Sequence, residues 1–173
     1  DLDAGNPVAQ QAGHDPRLRE ACGEANSSGA ESQAQRFAVY RCLHAQLRTR
    51  LAALLAQRDP QVLEAMPKIV FAYDAFLVNG SPYFNVQTAS DNATEVLWIL
   101  TACQFGLNCG PSGRALRWAC ALGACGYAHY HDYASDQLLA PGSMRYVDAL
   151  VPQLTALIWA GNVDAILGPP PGG

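Results

Sequence analysis

Thr101 to Asp132 reads T-A-C-Q-F-G-L-N-C-G-P-S-G-R-A-L-R-W-A-C-A-L-G-A-C-G-Y-A-H-Y-H-D and decides the fold. It holds four of the six cysteines and two of the four histidines. It also repeats itself: Ala102-Cys103-Gln104-Phe105-Gly106-Leu107-Asn108-Cys109-Gly110 is echoed by Ala119-Cys120-Ala121-Leu122-Gly123-Ala124-Cys125-Gly126. In each copy an apolar helical run reaches a Cys, and a Gly follows three residues later. Glycine accepts the left-handed conformation that commonly ends a helix. The chain then doubles back, and the second Cys can approach the first. This predicts two staples across helix C-termini, Cys103–Cys109 and Cys120–Cys125, leaving Cys22–Cys42 as the third pair. Six cysteines allow about fifteen pairings. The main competitor is a crossed set, Cys103–Cys120 with Cys109–Cys125, and the repeat favours local pairing within the reach of a disulfide.

Working outward, the 173 residues suffice for one domain with its own core, and half of them are hydrophobic. A net charge of −4 argues against nucleic acid, which selects for a clustered basic surface. All but one of the eleven basic residues are Arg, which reads as a GC-rich coding bias. The even cysteine count points to an oxidising compartment. Cys-x5-Cys and Cys-x4-Cys are wider than a zinc knuckle, and neither Cys-x-x-Cys nor Cys-x-x-Cys-His occurs. The chain starts at Asp1, as expected of a mature protein whose signal segment has been removed. No apolar run is long enough to span a bilayer. The expected location is periplasmic or secreted, and a lipid anchor upstream of Asp1 is compatible with it.

Residues 1–31 read as a flexible N-terminal arm with a short helix over Pro16 to Glu24. Residues 32–167 read as the helical domain, and residues 168–173 (G-P-P-P-G-G) as a tail. The clearest helix spans Ser32 to Arg58, where Phe37, Tyr40, His44, Leu47, Leu51 and Leu54 draw one stripe at three- and four-residue steps. Asp59-Pro60 opens the next helix. From Pro67 to Val78 a helical face competes with a hairpin around Asn79-Gly80. Ser90 or Asp91 caps a helix whose buried side is Val96, Leu97, Leu100 and Cys103. Ser112 caps a short helix through Cys120. Gly126 to Leu139 reads as an aromatic-polar loop. Met144 to Trp159 is a strong helix that Pro152 should kink or split. Asn162 caps a last turn. The expected fold is all-α: a single irregular bundle of about five to seven helices, stabilised by disulfides.

The chemistry-bearing candidates are few. Tyr127 to Tyr133, Y-A-H-Y-H-D-Y, is the richest segment. If extended, it projects His129 and His131 to one side. With Asp132 or Asp136 these imidazoles are candidate metal ligands, and with Asp132 a candidate catalytic set for a hydrolase. No third ligand is fixed by spacing, so the expected cofactor is none; a loop whose rings cover a disulfide explains the same residues. His44 is more simply a core histidine, and Asp74 the partner of an Arg on the long helix. Nucleophile and phosphate motifs are absent. Asn26 and Asn92 open glycosylation-like triplets that a bacterial origin makes coincidental. Tyr83, Phe84, Tyr127, Tyr130 and Tyr133 fall in two loops that would form a contact surface for a protein partner. A cavity lined by Trp98, Trp118 or Trp159 would instead indicate a small-ligand carrier.

At W-I-L-T-A-C-Q-F-G-L-N-C-G-P and the later W-A-C-A-L-G-A-C-G-Y, the sequence resembles secreted or periplasmic disulfide-containing helical proteins of GC-rich proteobacteria, a group of uncharacterised function. The resemblance covers chiefly Asp59 to Asp132. It implies an exported helical protein and brings no catalytic residues with it. The expectation is an exported binding or accessory protein of the inhibitor, immunity or envelope-adaptor type, meeting its partner through the aromatic loops. The alternative is a hydrolase using His129, His131 and Asp132, with or without a metal.

Overall fold

The computed structural model describes residues 33–74 and 92–167. Among the described residues all regular structure is helical: α1 (Gln33–Gln57), α2 (Pro60–Asp74), α3 (Asn92–Gln104), α4 (Arg114–Ala121), α5 (Tyr130–Tyr133) continued by a π-helical turn (Ala134–Leu138), α6 (Met144–Ala160) and α7 (Val163–Leu167). The all-α expectation holds. The arm, the tail, Cys22, Tyr83, Phe84 and the possible hairpin at Asn79-Gly80 lie outside the described residues.

The centre of the bundle is α3. Ala93, Thr94 and every residue from Val96 to Ala102 are buried. A helix that is apolar on all sides must be covered on all sides. It packs most extensively against α2 and α6, with the π turn touching it as well. Leu51 and Leu55 of α1, Leu63 and Met66 of α2, and Val147, Leu154 and Ile158 of α6 complete the core. Trp98 is 2% exposed within it, so this indole is a core residue and not a cavity wall. The one buried hydroxyl with a described bond on α3, Thr101 Oγ1, donates to the Leu97 carbonyl at 2.8 Å, which satisfies it inside the helix.

The sequence echo is a repeated helix ending. After α3, Gly106 has φ +101°. Its N–H donates to Cys103 O, and the Leu107 N–H donates to Ala102 O. After α4, Gly123 has φ +100°, its N–H donates to Cys120 O, and the Ala124 N–H donates to Ala119 O. Both are Schellman endings, with the first Cys in the same register. The chain is thereby turned back, and the local disulfides form: Cys103–Cys109 with Cα atoms 5.9 Å apart and Cys120–Cys125 with Cα atoms 4.1 Å apart. The crossed pairing does not occur. Cys42 is also disulfide-bonded.

Several boundaries differ from the sequence reading. α2 runs through buried Pro67 to Asp74, so the helical alternative holds for the described part of that segment. The N-cap of α4 is Gly113, not Ser112. A Cβ on Gly113 would lie 1.9 Å from the Asn108 carbonyl oxygen, so only glycine fits there. Ser112 instead accepts a hydrogen bond from Asn108 Nδ2 at 3.0 Å. Gly126 to Leu139 is not wholly loop: α5 and the π turn occupy its second half. α6 continues past Pro152 without a break. The predicted caps at Asp59 and Asn162 are present, accepting from the Gln61 N–H at 2.7 Å and the Ala165 N–H at 3.1 Å. No helix among the described residues is long and apolar enough to cross a membrane.

The two staples close loops of nearly equal length, with sequence separations of 6 and 5. Their chain-entropy contribution is therefore similar, about 2 kcal/mol each. Packing separates them, because Cys109 is buried in the core cluster while Cys120 and Cys125 are exposed. Replacing Cys103 and Cys109 together by Ala should lower unfolding free energy by clearly more than replacing Cys120 and Cys125. Urea denaturation of the two double variants under oxidising conditions checks this, and equal losses would refute it.

Candidate functional site

The first staple positions the histidine segment. Beyond Cys109, the Tyr130 N–H donates to the Cys109 carbonyl at 2.8 Å, which holds the start of α5 against the stapled end of α3. His129 is the N-cap of α5, with extended backbone at φ −143° and ψ 151°. Its Nδ1 accepts from the His131 N–H at 3.1 Å. His131 therefore sits in a helical turn, and the two imidazoles do not project as an extended strand would place them. They nevertheless line one cleft.

That cleft has a volume of about 730 Å³ and lies between α3, α5 and α6. Leu100, Cys103 and Gln104 come from α3, at the three- and four-residue steps of one helical face. Asp148, Val151, Pro152, Thr155, Ala156 and Trp159 come from α6 with the same periodicity. His129, His131 and Asp132 close one end. The volume falls in the range typical of small-molecule sites.

One end of the cleft is ionisable. His131 Nε2 is 3.0 Å from Asp148 Oδ1, and His131 Nδ1 is 3.6 Å from Asp132 Oδ1. Among the described residues no Lys or Arg pairs with either carboxylate. The nearest Arg in sequence, Arg145, stacks on the Tyr146 ring at 4.8 Å and donates to the Tyr146 hydroxyl at 2.9 Å. The other end is aromatic. Trp159 is 54% exposed, with Phe105 stacked on it at 5.2 Å and the Arg58 guanidinium 4.4 Å from its ring centroid. Arg58 also donates to the Trp159 carbonyl at 2.9 Å. Between the ends stands Thr155, whose Oγ1 is buried and has no hydrogen-bond partner.

The sequence candidates thus divide. His129, His131 and Asp132 come together, joined by Asp148, Thr155 and Trp159. Of these, only Trp159 was named from sequence; Asp148 and Thr155 carry no signal beyond helical spacing on an otherwise apolar stretch. Asp136 is exposed on the π turn and is not in the cleft, and among the described residues no group of three or more His, Cys, Asp or Glu side chains is placed to hold a metal ion. Tyr130 is 3% exposed, so it is a core residue and not a contact residue. Tyr127 and Tyr133 are half-buried and pack edge to face at 5.5 Å, and Tyr133 also meets Tyr130 at 5.9 Å. These rings build the cover behind α5. Trp118 is exposed on α4, away from the cleft.

The chain matches no protein-family model, and no curated protein or solved structure was found to match it.

Burial raises the Tyr130 hydroxyl far above the ordinary tyrosine value, and the negative charge of Glu95 adds to the effect. The native state thus resists ionising it. Its contribution to stability is intact below the unfolded value near 10 and is lost as pH climbs from there towards the raised native value. In an alkaline titration followed by phenolate absorbance, the Tyr130 phenol should ionise only together with unfolding, and Tyr130→Phe should abolish that step. A second expectation concerns Thr155. Thr155→Val removes a buried, unbonded hydroxyl at nearly constant volume and should stabilise the protein by about 1 kcal/mol, read by urea denaturation.

Proposed function

We propose that the chain is a non-enzymatic binding protein of the periplasm or cell exterior, and that it takes its ligand in the cleft between α3 and α6. The observation that carries this reading is the cleft's composition. An ionisable end and an aromatic end are joined by an apolar wall. Binding sites pair a mostly apolar lining with a few placed polar groups in this way. The disulfides and the lack of a spanning helix among the described residues fit an exported protein. The negative net charge weighs against nucleic acid as the ligand.

The His129 imidazole weighs against the hydrolase. A general base needs a free lone pair within reach of a substrate proton. His129 spends its Nδ1 lone pair on the His131 N–H, which leaves the proton of the neutral ring on Nε2. The His129 ring is therefore better suited to donating a hydrogen bond than to abstracting a proton. His131 Nε2 is hydrogen-bonded to Asp148 at 3.0 Å, and Asp132 lies 3.6 Å from Nδ1, beyond hydrogen-bond reach. A protein partner docking on the aromatic loops has less support, because Tyr130 is buried and Tyr127 and Tyr133 are half-buried.

Ala156 is exposed on the cleft wall, so Ala156→Trp fills the cleft without touching the core. A thermal-shift screen with cationic, anionic and neutral amphiphiles should find compounds that raise the melting temperature of the native protein and leave that of Ala156→Trp unchanged. Turnover of ester or peptide substrates that disappears in His129→Ala/His131→Ala would instead establish the hydrolase.

A further inference from the structure

We infer that the ligand of the cleft is a small amphipathic organic cation, an apolar chain or ring system carrying an ammonium or comparable head. The inference rests on the cleft being the binding site and adds the chemistry of what occupies it. Two observations combine.

The first is charge. Asp132 and Asp148 both line the same end of the cleft. Each ionised carboxylate can accept about four hydrogen bonds. His131 meets one oxygen of each, and no Arg or Lys among the described residues meets either. The head end therefore offers surplus acceptors and a negative potential. An anionic head would meet two carboxylates there and be repelled.

The second is the wall that follows. From Asp148 the α6 face continues through Val151, Pro152 and Ala156 to Trp159, with Leu100 opposite on α3. At the helical rise this is roughly 16 Å. That length accepts an extended apolar group and gives no charged partner along it until Trp159. The Trp159 ring already holds the Arg58 guanidinium, so the far end is not left for a second cation.

The test uses the oxidised full chain and matched eight-carbon probes: n-octylammonium, n-octanoate and n-octanol, titrated by calorimetry against the native protein, Asp132→Asn, Asp148→Asn and Ala156→Trp. Octylammonium should bind saturably at one site, and octanoate should not bind. Asp132→Asn and Asp148→Asn should each weaken octylammonium about 10-fold, the scale of one charge-assisted hydrogen bond. Ala156→Trp should abolish binding. Circular dichroism confirms that each variant is folded, and both carboxylates are more than half exposed, so neither substitution threatens the core. If octanoate or octanol binds as well as octylammonium and Ala156→Trp removes that binding, the cation is overturned while the cleft stands. Octylammonium binding that both Asn variants leave unchanged overturns the cation too. If no probe shows binding sensitive to Ala156→Trp, both readings fall.

Discussion

The burial of α3 is the constraint from which the rest of the bundle follows. A helix buried along nearly all its length has no solvent face, so its neighbours must bring their apolar stripes to it from every side. α2 and α6 supply the two largest contacts, and α1 and α7 reach the assembly through them. The transfer of its side chains out of water, at about 25 cal/mol per Å² of apolar surface, is the main local driving force. Such a helix also cannot simply run out into solvent at its C-terminus. Its last carbonyls need partners, and the Schellman turn at Gly106 provides them within the chain.

That turn does more than end the helix. It sends Leu107 and Asn108 back along α3, which brings Cys109 to Cys103. The Cys109 carbonyl then receives the Tyr130 N–H and sets where α5 begins. His129, His131 and Asp132 are thereby held at the cleft by a chain of covalent and hydrogen-bonded links running from the buried helix. The long link between Cys109 and Tyr130 is itself shaped by the second staple and by Gly113, whose missing Cβ lets the backbone pass the Asn108 carbonyl. These three residues rest on a rigid end of the core, although the helical turn that carries them is short.

The legible part of the fold was the part written in local chemistry. The Cys-to-Gly register of both copies stated the helix endings and the pairings. Asp59 and Asn162 stated their caps. Helical periodicity gave α1 and α6. What the sequence concealed depended on long-range packing. Tyr130 looks like any tyrosine of an aromatic-polar loop until Cys109 draws its backbone inward and buries its ring. Ser112 has cap chemistry, but Asn108 engages its hydroxyl first. Pro67 and Pro152 are local breakers that tertiary contacts override. The cleft was half legible: the histidines announced themselves by composition, whereas Asp148 and Thr155 are ordinary polar positions on a helix until α3 is laid beside them.

Departures from local rules are not scattered evenly through the structure. Pro152 sits inside α6 and removes the N–H that would bond the Asp148 carbonyl. Thr155 buries a hydroxyl without a partner. Trp159 leaves half its surface in contact with water. Arg58, the one non-glycine residue with positive φ among the described residues, places its side chain on Trp159. Each of these is individually unfavourable or unproductive for stability, and the three on α6 lie on a single face of the helix. The adjoining face of the same helix, with Val147, Leu154 and Ile158, obeys every rule of a packed core. Selection for stability alone would have no reason to concentrate its exceptions on one side of one helix. Such conflicts between local preference and global fold accumulate where a chain is constrained by something other than folding. In this molecule that place is the wall opposite Leu100 and Cys103, and Asp148 at its start meets His131 beside Asp132 of α5.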